Sequence, residues 1–468
     1  METNISTLTI FQIQNGHNES NSDIISIYAR IANVRKINSK MCFVILRQKM
    51  ETIQCICLKK TVGDELFGII SSIASETIVI MSGRLSTLPE SVPLIKSCTC
   101  QKHELHISSC KIISDIIETL PFPLEDANCL YSEKSDRINV TLPIRLDKRY
   151  FELRAPFNIA IFKIQSDVVT YFRDYMRLKS FTEIHTPKIL GVCSESGASV
   201  FELNYFDKSA YLAQSPQLYK QMMINADFEK VYEIGPVFRA ENATTQRHLC
   251  EFTGMDIEMA LLPPFNYHQA IQVLWNGLVY IFDQISLTSR KEIEYIKSIH
   301  FFDEMIYKIN PVIVTFSDGV ELLKEYGFTQ CPHEDISTEN ERELGKIVKR
   351  KFESDLFVIT EYPESARPFY TKKSDNLGYT KSYDIIMRGQ EICSGAQREN
   401  DYDTLLAQIK ERGLNPELFE DYLNSFKYGS PPHAGGGFGL ERILSLYLDL
   451  GNIKVASLFP RDPSRITP

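Results

Sequence analysis

Three consecutive glycines, Gly435, Gly436 and Gly437, followed by Phe438 and Gly439, constrain this chain more than any other segment. Residues without side chains let a backbone come close to a ligand. Leu440, Glu441 and Arg442 come next, then an apolar helical run over 443–450, so a permanent cation stands at a helix entrance beside the glycines. The spacing is not the dinucleotide fingerprint, because no third glycine follows at the required offset and no strand–helix–strand unit surrounds it. The same residues also read as a tight strand-to-helix turn, and the segment alone does not decide between the two.

Size and charge bound the rest. At 468 residues and 53.7 kDa the chain exceeds one ordinary core, so two or three domains are expected. Apolar residues at 43% and charged residues at 24% are those of a soluble globular protein. A formal net charge of −9 argues against a generally basic nucleic-acid coat, and a DNA partner is not expected. Local cationic patches can still bind RNA. No apolar run nears the roughly 18 residues that span a bilayer, so no membrane partner is expected either. Residues 1–21 hold no Lys or Arg, unlike a secretory signal or an Arg-rich transit peptide. Eleven cysteines, an odd number without CxxC spacing, suggest reduced thiols in a cytoplasmic protein.

Along the chain, residues 25–35, 41–47, 52–58, 77–85 and 104–113 alternate as five short strands. A helix-like 64–72 follows the third, which fits an OB-fold barrel, a frequent binder of single-stranded nucleic acid. Pro121 and Pro123 then break the pattern, and the polar 125–139 reads as a hinge. The expected division is a barrel domain at 1–120, a linker at 121–145 and a second domain at 146–468. That second domain shows helical spacing over 159–178, an extended 181–187 ending at Pro187, strands through 259 and a helix at 266–285. Residues 291–373 mix helix and strand with many charges and fit an insertion on that frame.

Two strands are expected at 231–241 and 248–259, joined by the polar loop 242–246. Alternation puts Met255, Ile257 and Met259 on one face and His248, Phe252, Asp256 and Glu258 on the other. A hairpin with a solvated polar face would explain that alternation. Yet Arg239, Glu241 and Arg247 join those residues, and such a mixture of cations and acids suits a site for a polyphosphate beside an amino acid. Residues 391–398 read as a strand end before a helix from about Asp401, with Glu391 as a metal acid and Arg398 as a forked carboxylate binder, or else as a charged sheet edge. Cys98, Cys100, His103, His106 and Cys110 have no zinc-finger spacing. His103-Glu104-Leu105-His106 is one residue short of the zincin motif, and no nucleophile elbow for a serine hydrolase occurs.

Phe238 to Glu241 with Arg247 to Phe252, and Gly435 to Arg442, resemble motifs 2 and 3 of class II aminoacyl-tRNA synthetases, in that order. Residues 211–220, 238–259, 391–398 and 435–463 resemble, more closely, aspartyl-tRNA synthetases of the eukaryotic and archaeal kind. The resemblance runs from about Ile24 to Pro468 and is strongest in the second half. It implies an α+β fold: an N-terminal five-stranded OB-fold barrel for the anticodon, and a class II catalytic domain whose antiparallel sheet is flanked by helices. It also implies a homodimer with Pro187 at the interface, ATP and L-aspartate as substrates, Mg²⁺ and tRNA(Asp).

Residue by residue, the resemblance gives Arg239 the α-phosphate and the substrate α-carboxylate, and Arg247 and His248 the distal phosphates. Phe252 and Arg442 would sandwich adenine, with Glu241, Leu249 and Gly439 also on the nucleotide. Glu391 and Ser394 match the pair near Mg²⁺, with Asp384 as a further acid. Glu195 falls in a loop, 194–197, that closes on aspartate, and Ser196-Gly197-Ala198 replaces a more glycine-rich stretch there. Gln217, Lys220, Asp256, Ser394 and Arg398 complete the amino-acid pocket, while Arg35, Phe43, Gln54 and Glu104 match anticodon-contacting positions. No covalent nucleophile is needed, so positioning and charge neutralisation supply the acceleration. Arginine and lysine in a dry pocket favour a side-chain carboxylate over an amide. Asparaginyl-tRNA synthetase, a non-discriminating aspartyl enzyme and a non-catalytic synthetase-like RNA binder are the alternatives. The last would lack the motif arginines or the metal acid, and Arg239, Arg442 and Glu391 are all present.

Overall fold

Alternating burial closes the N-terminal strands on themselves. In the computed structural model, which describes residues 6–16, 24–130, 140–193, 200–242 and 245–468, the barrel strands are Ile25–Asn38, Met41–Gln48, Glu51–Leu58, Ile78–Thr87 and Cys100–Ser114. The first pairs with both the second and the fourth, and the fifth lies parallel to the third and antiparallel to the fourth, which closes the barrel. Cys42, Val44, Leu46, Ile53, Cys55 and Cys57 point inward, each fully buried. The helix Asp64–Ser72 sits where the pattern placed it and buries Phe67 and Ile70.

Two short elements of the barrel escaped the sequence reading. A strand Ser6–Thr7 pairs in parallel with Ile25 and Ser26, and a short helix Ile10–Gln14 drives Ile10 and Ile13 into the barrel core. Thr9 and Gln12 form a reciprocal capping box at its start. That box and the Ile10/Ile13 spacing were the available signal.

The chain divides into two compact units, Met1–Ile159 and Ala160–Pro468. Helix Pro156–Leu178 begins at the end of the first. The second unit is built on an eight-stranded sheet in the order Ile313–Thr315, Leu356–Thr360, Ser382–Met387, Gln390–Gln397, His433–Gly439, Glu251–Ala260, Lys230–Phe238, Thr182–Glu183. Only the two outermost pairings are parallel. Residues 291–373 thus supply Ile313–Thr315 and Leu356–Thr360 to this same sheet.

The glycine run is neither a loop nor a turn. His433–Gly439 is a strand at the middle of the sheet, paired on both sides, and helix Leu440–Tyr447 starts directly from it. Gly436 and Phe438 face the helical layer, where a Cβ on Gly436 would lie 3.1 Å from Leu274 and Phe438 meets Phe172 edge-on at 6.4 Å. A second correction concerns the region up to 259, which is not all strand: Gln217–Asn225 is a helix. Between residues 181 and 187 only Thr182–Glu183 is strand, and Thr186 is tied to Glu233 through its backbone and hydroxyl at 2.9 and 2.7 Å.

Candidate active site

The floor of the main cavity is made by leaving atoms out. A Cβ on Gly435 would lie 2.2 Å from the Ile257 carbonyl oxygen and 2.5 Å from Glu258 Oε2. On Gly437 it would lie 2.5 Å from Asp256 Oδ1, and on Gly395 2.4 Å from the Tyr383 ring. Glycine weakens a strand in general. Here it gives two buried carboxylates room to cross the neighbouring strand, and Gly437 and Gly439 leave bare backbone along the cavity wall.

At one end of the cavity Arg398 is fixed from several sides. Its Nε and Nη2 donate to the two oxygens of Glu258 at 3.0 and 3.2 Å, and Nη2 also donates to Gln217 Oε1 at 3.1 Å and Gly435 O at 3.0 Å. Nη1 takes part in none of these bonds. Burial works against the guanidinium's charge, and Glu258 more than offsets it, holding Arg398 above the ordinary arginine range. Burial likewise opposes the Glu258 carboxylate, but Arg398 and Lys220 hold it below its usual value. Gln217 and Asp256 line the cavity. Lys220 does not: it is fully buried behind them, with its ammonium 2.9 Å from Asp256 Oδ1 and 3.7 Å from Glu258 Oε2. Glu258 itself is the anchor that the sequence placed on the polar face without giving it a role.

At the other end the two motifs meet. Arg239, Glu241, Arg247, His248, Leu249, Phe252, Gly439 and Arg442 all line the cavity. The Arg239 guanidinium lies over the Phe252 ring at 5.5 Å. Arg442 donates to the carbonyls of Glu391 and Arg247 at 2.9 and 3.2 Å, which ties the glycine strand's helix to both neighbouring walls. His248 lies outside the strand, which starts at Glu251, and its Nδ1 is 2.8 Å from Thr245 Oγ1. Burial lowers its pKa, favouring the neutral ring. Glu441, at the start of that helix, accepts from the Thr253 backbone with both oxygens, and burial pushes it up to about 7.

Between the two ends sits an acid cluster. Glu391 is half-buried on the cavity wall, and burial followed by the charge of Asp384 raises its pKa, against the pull of Arg442, Arg367 and Arg239. Ser394 stands opposite Asp384 in the strand register. Arg367 joins the pair, donating to Ser394 Oγ at 2.8 Å and Asp384 Oδ2 at 2.6 Å while its guanidinium stacks on Tyr362 at 3.8 Å. Asp384 Oδ1 is buried with no hydrogen-bond partner among the described residues. Glu341 accepts from the Glu391 backbone N–H at 2.8 Å and is pushed up to about 8 by burial and by Glu391. Neither Arg367 nor Glu341 was anticipated. The one hint was an arginine directly before the apolar Pro368, Phe369 and Tyr370.

Elsewhere, Arg35, Phe43, Gln54 and Glu104 share one face of the barrel. Arg35 pairs in register with Phe43, and Gln54 with Glu104, to which its side-chain amide donates. Phe43 is half-buried and outside the core cluster, on the side of its strand opposite Cys42 and Val44. Pro187 is exposed. Glu195 and its loop, 194–197, lie outside the described residues. No described helix is long and apolar enough to cross a membrane.

Known proteins share this arrangement. The model of the family described as tRNA synthetases class II (D, K and N) matches residues 141–463. A cytoplasmic aspartate–tRNA ligase of Caenorhabditis elegans is 41% identical over 452 residues, covering 94% of this chain and 84% of its own. The solved aspartyl-tRNA synthetase of Entamoeba histolytica is 38% identical, with a TM-score of 0.86 over 95% of this chain and 90% of that one. An asparaginyl-tRNA synthetase of Pyrococcus horikoshii, solved with asparaginyl-adenylate, is 28% identical, with a TM-score of 0.82 over 95% of this chain and 96% of that one.

Proposed function

Since the chain belongs to the class II tRNA synthetases, in the group serving aspartate, lysine and asparagine, we propose that its cavity joins L-aspartate to ATP as aspartyl-adenylate and passes the aspartyl group to tRNA(Asp). It is a ligase, an aspartate–tRNA ligase. The observation that carries the choice of amino acid is Arg398, a guanidinium locked by Glu258 in a dry wall of the cavity. With Nε and Nη2 taken by Glu258, Gln217 and Gly435, Nη1 is the donor left for substrate, and a carboxylate supplies the negative charge that meets it. A carboxamide supplies one neutral acceptor and places an NH₂ against a cation.

The remaining roles follow from position. Gln217 and Asp256 meet the amino acid, and Lys220 sets Asp256 from behind. Phe252, Arg442, Glu241, Leu249 and Gly439 hold the nucleoside, while Arg247 and His248 meet the outer phosphates. Arg239, over Phe252 at the nucleotide end, neutralises the charge that develops as the substrate carboxylate attacks phosphorus and pyrophosphate leaves. Among the described residues no cluster of three or more His, Cys, Asp or Glu could by itself hold a metal. Mg²⁺ bound through one or two carboxylates plus substrate phosphates needs less. Glu391, Asp384 with its unpartnered buried oxygen, and the Ser394 hydroxyl fit that demand. When bound, the ion would polarise phosphate oxygens.

The barrel face bearing Arg35, Phe43, Gln54 and Glu104 reads the anticodon, Phe43 by stacking and the others at base edges. Residues 181–187 and the exposed Pro187 support a homodimer, and the relative's cytoplasmic designation supports a cytoplasmic location. ATP–pyrophosphate exchange with aspartate, asparagine and lysine tests the assignment. Aspartate should drive the exchange; equal or faster exchange with asparagine would overturn it.

A further inference from the structure

Outside the cavity, a second groove carries charge that the roles above leave unused. It is lined by Thr245, Gln246, Arg247, Arg342, Asn452 and Lys454. Arg247 is also a wall of the main cavity, so one arginine borders both spaces. Arg342 projects from helix Thr338–Phe352, exposed. Its side chain has no hydrogen bond or ion pair among the described residues. Lys454 is different: its ammonium is held by Asp462 at 2.5 Å, so it serves as wall rather than as spare charge.

Arg247 stands among charges of both signs. Burial lowers its pKa, Glu341 at 3.8 Å opposes that most, and Arg442 and then Arg342 lower it further. Glu391 supports it more weakly. Glu341 also spends one oxygen on the Glu391 backbone. Holding three guanidiniums around so little negative charge costs energy unless an anion visits them. The groove is lined by six residues and has one spare cation, so it suits a compact polyanion better than an RNA backbone, which needs cations spread along its path.

The geometry points to this groove as an exit station for inorganic pyrophosphate, with Arg247 passing the anion out of the cavity and Arg342 receiving it. This rests on the adenylate-forming reading above.

The test compares the full-length protein with its Arg342→Gln and Arg342→Lys variants, which change an exposed side chain and leave the fold intact. In aspartate-dependent exchange, Arg342→Gln should raise the KM for pyrophosphate about fivefold, the size expected for one exposed charge contact. The KM for aspartate should not move, and Arg342→Lys should recover most of the loss. Calorimetric titration of inorganic pyrophosphate into the same proteins should give the same order of affinities without any turnover. A pyrophosphate KM and affinity unchanged in Arg342→Gln would overturn the inference, as would a rise confined to the KM for tRNA, which would assign the groove to RNA phosphate. Wild-type protein that binds pyrophosphate through Arg342 but shows no aspartate-dependent exchange would keep the groove and defeat the functional reading instead.

Discussion

Replacing Glu258 with alanine should do more damage than removing the whole pair it belongs to. In the structure Glu258 is fully buried and takes two hydrogen bonds from Arg398, at 3.0 and 3.2 Å, with Lys220 a further 3.7 Å contact. Lys220 keeps Asp256 at 2.9 Å when Glu258 is gone, so its loss is partial. Arg398 keeps only the neutral oxygens of Gln217 and Gly435. Breaking a buried pair from one side costs about 3–5 kcal/mol, because the remaining charge stays desolvated. For a unit spanning Ala160–Pro468, about 4 kcal/mol corresponds to a fall of about 6 °C in the unfolding midpoint. The double change Glu258→Met with Arg398→Met removes both charges at similar volume, and should unfold close to wild type while losing aspartate activation. Differential scanning calorimetry of the three proteins at neutral pH reads the comparison. A Glu258→Ala midpoint within about 1 °C of wild type, or a double variant as unstable as the single one, would refute the claim that the carboxylate exists to hold the arginine.

Gly435→Ala should destabilise by about 1–3 kcal/mol or more, since its Cβ meets a backbone oxygen that cannot turn away. Gly68→Ala, at an exposed helical site with nothing within 4 Å, should stabilise by about 0.5–1 kcal/mol; a raised midpoint in the first variant or a lowered one in the second would contradict that expectation. Glu441, raised from 4.5 to about 7 by burial, is neutral in both folded and unfolded chains at low pH, ionises first in the unfolded chain, and so withdraws stability as pH climbs from 4.5 to 7. Glu441→Gln should therefore gain on wild type across that window, levelling above pH 7 at about 3 kcal/mol, and a flat difference between pH 4.5 and 7.5 would dismiss the buried-acid account. Phe43→Ala should weaken tRNA charging by about 1–3 kcal/mol in kcat/KM while leaving aspartate-dependent exchange intact; an equal drop in both half-reactions would remove the stacking role.

What the sequence revealed, and what it hid, has a physical pattern. The barrel was legible because half-buried strands alternate, and Phe43 fell on the outer face for the same reason. Arg239, Arg247, Phe252, Glu391, Arg398 and Arg442 were legible because motif spacing survives folding, and all six line one cavity. Helix Gln217–Asn225 was hidden because its buried face is mostly polar: Gln217, Lys220 and Gln221 join Leu218 and Ile224, so hydrophobic periodicity has little to detect. Arg367 and Glu341 were hidden because their partners, Asp384, Ser394 and Glu391, are distant in sequence and meet them only through the sheet. The glycine run misled for a related reason: a strand written without side chains looks like a turn until its neighbours' carboxylates are seen filling the space.

That strand also fixes how the protein can vary. A glycine codon is one base change from alanine, valine, aspartate, glutamate, serine, arginine, cysteine, tryptophan or a stop, and every amino acid in that set brings a Cβ. At Gly435, where a Cβ would stand 2.2 Å from a carbonyl, and at Gly395 and Gly437, where it would strike a ring or a carboxylate, none of those steps is mild. Positions elsewhere in the sheet can drift through near-neutral intermediates such as valine and isoleucine. These three offer no first step, so any lineage that changes them must first have moved Ile257, Glu258, Asp256 or Tyr383 out of the way.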